Sequence, residues 1–229
     1  MAHWMIAGAS RGIGLEMVRQ LAARGERVTA SFRGAEPPDA LRTALAPIGD
    51  AGLLVAFDTR DAAAIAAAAA ESAEPIDILV ANAGAYGPMR QASTDLDFEG
   101  ALDLLSVNTL GPLRVAQAFL PRVRRGANPR IVLMSSRLGS MAVGGTLNVA
   151  YRASKAGLNR ITQCLAADLA PEGVAVLALH PGWVRTDMGG PGADIGVEES
   201  AAGVIRVCET LTLGDTGRFL DYRGEALPW

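Results

Sequence analysis

The sequence predicts a single α/β domain over residues 1–229, built as a doubly wound, mainly parallel sheet of seven strands. Three observations carry that expectation. Short apolar runs alternate with segments of helical period along the whole chain, the order that parallel strands and crossover helices require. A glycine-rich turn joins the first apolar run to the first helical segment, the place where such folds hold ligands. The chain has 229 residues, half of them hydrophobic, with no linker or repeat to divide the core.

Trp4–Ala7 is the first strand. Gly8-Ala9-Ser10-Arg11-Gly12-Ile13-Gly14 follows at once, and Leu15, Val18, Leu21 and Ala22 recur at helical spacing up to Gly25, a C-terminal stop. Glycines at such a turn let the backbone approach a pyrophosphate, and the helix start offers free N–H groups and a positive dipole end. Between a strand and a helix, Gly-x-x-x-Gly-x-Gly favours nucleotide binding over an ordinary tight turn. Val28–Phe32 reads as the second strand. An NAD-type site needs an acid near its end, for the ribose 2′-hydroxyl. Phe32 and Arg33 stand there instead, and with Arg11 they offer two cations to a 2′-phosphate. The alternative is a pair of solvated surface arginines.

Gly34–Pro38 is a loop, and Asp39 is expected to cap a short helix ending before Pro47. Leu53–Phe57 is the third strand, closed by Asp58 and Thr59, and Asp61 caps a helix through Ala62–Ala70. Ile76–Ala81 is the fourth strand, with Asn82-Ala83-Gly84 at its ligand-binding end. Phe98–Arg122 is one long helical stretch. Pro112 lacks the N–H that would bond the Asn108 carbonyl, so a kink is predicted there. Ile131–Met134 is the fifth strand and ends in Ser135-Ser136; Val174–Leu179 is the sixth and runs into His180-Pro181-Gly182. Trp183–Val197, with Pro191 and several glycines, is expected to be a long mobile loop over the substrate. Glu198–Leu211 is the last helix and Phe219–Tyr222 the seventh strand.

Tyr151-Arg152-Ala153-Ser154-Lys155 opens a helical ladder of Leu158, Ile161, Leu165 and Leu169, so Tyr151 and Lys155 share one face. A free tyrosine titrates near 10, roughly, and a neighbouring ammonium favours the phenolate. Such a tyrosine can exchange a proton near neutral pH. Alone, the pair favours the plainer reading of a buried tyrosine and a surface lysine that share a face by chance. Composition narrows the field. The net charge of −3, with only Arg122, Arg124 and Arg125 in a basic run, speaks against nucleic acid. Two cysteines, Cys164 and Cys208, are too few for a disulfide framework and imply a reducing, cytoplasmic setting. No apolar run reaches the roughly 18 residues of a membrane span, and no signal peptide is visible. His3 and His180 lie far apart and read as structural, and no metal site is expected.

Taken together and in order, these motifs resemble the short-chain dehydrogenases/reductases over essentially the whole chain, most of all the C-factor/sniffer-type carbonyl reductases. The resemblance implies a Rossmann fold and an NADP(H)-dependent reduction of a small carbonyl compound. Gly8, Ser10, Arg11, Gly12, Ile13 and Gly14 are similar to the family's cofactor loop, Asp58 and Thr59 to its adenine side, and Asn82-Ala83-Gly84 to its strand-four motif. Pro181-Gly182 with Val184 and Thr186 resembles the nicotinamide side. Asn108, Ser136, Tyr151 and Lys155 resemble the catalytic tetrad. In that reading Ser136 bonds the carbonyl oxygen, Tyr151 gives the proton, Lys155 lowers the tyrosine's pKa and holds the ribose, and Asn108 positions a water. The family also implies a homodimer or tetramer, paired through the helices around Asn108 and Tyr151. Ala7 stands in place of the usual threonine and Ala81 in place of an asparagine. The serine often lies thirteen residues before the tyrosine, where this chain has Leu138. Ser136, fifteen before, needs a longer loop, and Ser135 and Ser140 are its rivals. Tyr86, Met141 and Trp183 are expected near the pocket. The rival function is a nucleotide-binding sensor or signalling protein that keeps the fold without turnover.

Overall fold

The computed structural model describes residues 1–229. Its strands are β1 (His3–Ala7), β2 (Arg27–Phe32), β3 (Gly52–Ala56), β4 (Ile78–Ala81), β5 (Gln91–Ala92), β6 (Asp95–Leu96), β7 (Arg130–Met134), β8 (Ala175–His180) and β9 (Phe219–Asp221). Its helices are α1 (Gly12–Ala23), α2 (Asp39–Leu45), α3 (Ala62–Ala70), α4 (Phe98–Leu105), α5 (Gly111–Val123), α6 (Val149–Leu169) and α7 (Val197–Thr210). Seven strands form one sheet in the order β3-β2-β1-β4-β7-β8-β9, and every pairing in it is parallel. The apolar runs are continuous because both faces of the sheet are covered. Alternation along each strand then assigns residues to a layer. Trp4, Ile6, Ile78, Val80, Val132 and Leu177 pack against α1, α2 and α7. Met5, Ala7, Leu79, Ile131, Leu133 and Val176 pack against α3, α5 and α6. No helix is long and apolar enough to cross a membrane.

The predicted stops and caps form where local chemistry suffices. Gly25 ends α1 at φ +74, with its N–H on the Ala22 carbonyl and the Glu26 N–H on that of Leu21, a Schellman arrangement. Asp61 caps α3 by accepting the Ala64 N–H at 2.9 Å. Three expectations change, and one element is added. Asp39 does not cap α2; Pro38 takes the cap position, and Asp39 is the first helical residue, at the positive end of the dipole. The long helix is two helices, α4 and α5, joined by a π turn over Ser106–Leu110. The π turn hands the chain to Pro112 in the first turn of α5, where a missing N–H costs little. An antiparallel ladder, β5–β6, interrupts the segment between β4 and α4. The Trp183–Val197 loop is pinned. Val184 bridges Ile195, Arg185 donates to the Ala193 and Asp194 carbonyls, and the Trp183 indole donates to the Gly189 carbonyl.

Candidate active site

The strand order reverses between β1 and β4, so the loops leaving their C-terminal ends open a crevice. Glycine makes that crevice possible. A Cβ on Gly8, at φ +86, would meet the Ala83 backbone at 2.6 Å, and one on Gly14 would lie 2.2 Å from the Gly8 carbonyl oxygen. The Asn82 side chain donates to that oxygen at 2.8 Å, and the Asn82 and Ala83 N–H groups bond the Ala7 carbonyl. The Gly8 N–H donates to the Ser31 hydroxyl on β2, so the turn is held although Ala7 brings no hydroxyl. Ser10 and Arg11 lead into α1, whose first N–H groups, from Gly12, Ile13 and Gly14, have no partner within the helix.

Beyond β2 the charges are arranged in a way the sequence only partly indicates. Phe32 packs into the core and is 6% exposed, so its ring does not line the crevice. Arg33 is exposed, with a guanidinium nitrogen 3.8 Å from Asp58. The Asp58 carboxylate accepts three bonds from Arg60, whose guanidinium holds the acid down at about 2. Arg60 also reaches Asp103 on α4 at 2.7 Å, and Thr59 is buried against Gly111. Arg11 pairs with Asp187 at 2.9 Å, in the loop after β8. Both side chains are mostly exposed, so the pair contributes roughly 0–1 kcal/mol and yields readily to a stronger anion.

The tetrad residues come together at the ends of β4 and β7. Tyr151 and Lys155 lie one turn apart on α6, and both are buried. The Lys155 ammonium donates to the Met134 carbonyl at 2.7 Å and stands 6.0 Å from the Tyr151 ring centre. Burial alone pulls it down to about 8. Tyr151 moves the opposite way from the expectation: burial pushes its pKa up, and a hydrogen bond with Ser136 draws it partly back. The rival serines are occupied elsewhere. Ser135 donates to the Asn159 side chain at 2.5 Å, and Ser140 donates to the Trp229 carbonyl at 3.2 Å. Asn108, wholly buried in the π turn, uses its side chain as a clamp. It accepts the Ala85 N–H and donates to the Ala85 carbonyl and the Ser154 hydroxyl. Gly84 lies beside both groups: a Cβ there would be in ordinary contact with Asn108 Oδ1 at 3.4 Å and Lys155 Nζ at 3.6 Å.

The loop after β8 closes the site from the other side. Gly182, at φ +90, leaves room for Ile195 and Tyr222, and Ser200 bonds the Pro181 carbonyl. Val184 is buried, and the Thr186 methyl lies against Gly12, joining the two cofactor-side loops. Tyr86 stands with its ring centre 5.2 Å from that of Tyr151. Met141 and Trp183 are exposed, on the loops after β7 and β8. Sequence reasoning missed Gln91, Arg152 and Asn159. Arg152 ties the longer loop down by donating to the Leu147 and Val143 carbonyls. Asn159 was detectable as a polar residue on the apolar face of α6, beside Leu158; Gln91 had no local signal at all.

Comparison with known proteins matches residues 2–194 to the family described as short chain dehydrogenase. The C-signal protein of Myxococcus xanthus is 44% identical over 158 residues, covering 68% of this chain and 93% of its own. Two solved structures superpose over the full chain: the NADPH-bound carbonyl reductase from chicken fatty liver and the carbonyl reductase Sniffer of D. melanogaster. The first has a TM-score of 0.91 at 31% identity, the second 0.88 at 29%, and each is covered over 99% of its length.

Proposed function

The chain belongs to the short-chain dehydrogenase family and is an oxidoreductase; from that premise we propose that it reduces a small carbonyl compound to an alcohol with NADPH. The observation that carries this reading is the pair Tyr151 and Lys155, one turn apart on α6 and both buried, beside Ser136 at the end of β7 and of the crevice. The chain fits the cofactor. Gly8 and Gly14 let the turn fold tightly against Ala83 and Asn82, where a Cβ would clash, and the turn brings the free N–H groups of the α1 N-terminus to the crevice. Arg33 stands at the end of β2, where an NAD-type site would need a carboxylate. Two structural neighbours carry NADPH or NADP in their crystals.

NADPH supplies, when bound, the hydride for the carbonyl carbon. Ser136 donates a hydrogen bond to the substrate oxygen as negative charge gathers there. Tyr151 gives its phenolic proton to that oxygen. Lys155 stabilises the phenolate left behind and holds the nicotinamide ribose. Asn108 keeps Gly84 and Ala85 beside Lys155, and so shapes the water path that returns the proton. Gly8, Ser10, Arg11, Gly12, Ile13, Gly14 and Arg33 hold the phosphates, Asp58 and Thr59 the adenine end. Asn82, Ala83 and Gly84 hold the ribose side, and Pro181, Gly182, Val184 and Thr186 the carboxamide.

The test is NADPH oxidation with a panel of aldehydes, ketones and quinones, run on wild type and Tyr151→Phe. The phenylalanine keeps ring volume and cofactor binding and should lose about 10²–10⁴-fold in turnover. Near-normal turnover in the variant would overturn the mechanism. The likeness to C-signal favours a second reading, a cofactor-binding signalling protein. Tight NADPH binding with no turnover on any substrate would support it.

A further inference from the structure

Gln91 lies outside every motif, yet it is only 5% exposed and all its side-chain bonds lead to the site. Its Oε1 accepts the Tyr151 N–H at 2.9 Å, and its Nε2 donates to the carbonyls of Tyr86 at 3.0 Å and Pro88 at 2.9 Å. Asn148 gives α6 no side-chain cap, so Gln91 reaches across 60 residues to satisfy one of the open N–H groups at the helix start. The strap from β4 to β5 is fixed again by Asn108, which bonds both the N–H and the carbonyl of Ala85. Gly87, at φ +99, lets the strap lie against Leu104, where a Cβ would come within 2.5 Å. Firmly held in this way, the strap leaves the Tyr86 ring 45% exposed and outside the core clusters, beside the proton donor.

We propose, on the reading of the preceding section, that Gln91 is a positioning residue for this reaction. Its carboxamide couples the Tyr86 strap to the helix that carries Tyr151, and so fixes the Tyr86 ring as a wall for flat, conjugated carbonyl substrates in preference to small aliphatic ones.

Gln91→Met keeps the length of the side chain and removes the tie without burying a charge. Gln91→Met and Tyr86→Ala should each raise KM for benzaldehyde about tenfold, the worth of one net hydrogen bond or contact. KM for propanal and the Kd for NADPH should move far less than that. The double variant should lose no more than either single one, because Gln91 acts through Tyr86. An unchanged benzaldehyde-to-propanal KM ratio in Gln91→Met, or fully additive losses, overturns the proposal. If wild type reduces neither aldehyde, the preceding reading fails instead. Gln91 is then tested by hydrogen exchange in the peptide spanning Tyr86: faster exchange in Gln91→Met supports the tie, and unchanged exchange refutes it.

Discussion

At the scale of single residues, three neighbouring serines differ only in what they touch. Ser136 accepts the Leu138 N–H and lies near Tyr151, Ser135 is bonded to Asn159, and Ser140 to the Trp229 carbonyl. Ser136→Ala should therefore lower kcat by about 10²–10³-fold, the cost of one donor to a developing oxyanion. Ser135→Ala and Ser140→Ala should cost far less in steady-state assays; a larger loss at Ser140 than at Ser136 would refute the assignment. Spacing alone points to Leu138, and it is the place of Ser136 at the end of a strand that favours it. Tyr151 and Lys155 were readable because a helix repeats every turn. Gln91 was not, because its partner lies 60 residues away and no local pattern records that contact.

At the scale of elements, the strands were readable because burial on both faces makes them continuous apolar runs. The π turn and the pinned Trp183–Val197 loop were not, since both depend on backbone bonds that side-chain identity does not announce. In the proposed function the C-terminal end of β2 carries the choice of cofactor. Arg33→Ala should weaken NADPH binding about tenfold to hundredfold, by loss of a charge-assisted contact, and leave NADH nearly untouched. Titration of both cofactors against both proteins checks this; equal or tighter NADH binding by wild type would refute it. A carboxylate at Phe32 is not the reciprocal test, because it would lie unpaired in the core.

At the scale of the whole molecule, one sheet and two buried layers bring the ends of β1, β4, β7 and β8 to a single crevice. The strand and helix alternation announced that architecture, but not how deeply it buries Lys155. A lysine held at about 8 when folded, against 10.5 free, opposes folding wherever it must stay charged. Below pH 8 the whole cost is present, of order 3 kcal/mol at about 1.4 kcal/mol per pKa unit. Between 8 and 10.5 the unfolded chain binds the proton that the folded chain does not, so this cost disappears as pH rises. Urea unfolding of Tyr151→Phe/Lys155→Met beside Tyr151→Phe isolates the lysine, because the neighbouring phenol is absent from both proteins and Cys208 titrates alike in them. The double variant should be the more stable at pH 7, and its advantage should shrink steadily toward pH 10; a constant gap would refute the linkage. Under the proposed reaction, one buried ammonium is therefore asked for two opposite things, proton chemistry in the folded protein and easy desolvation on the way to it.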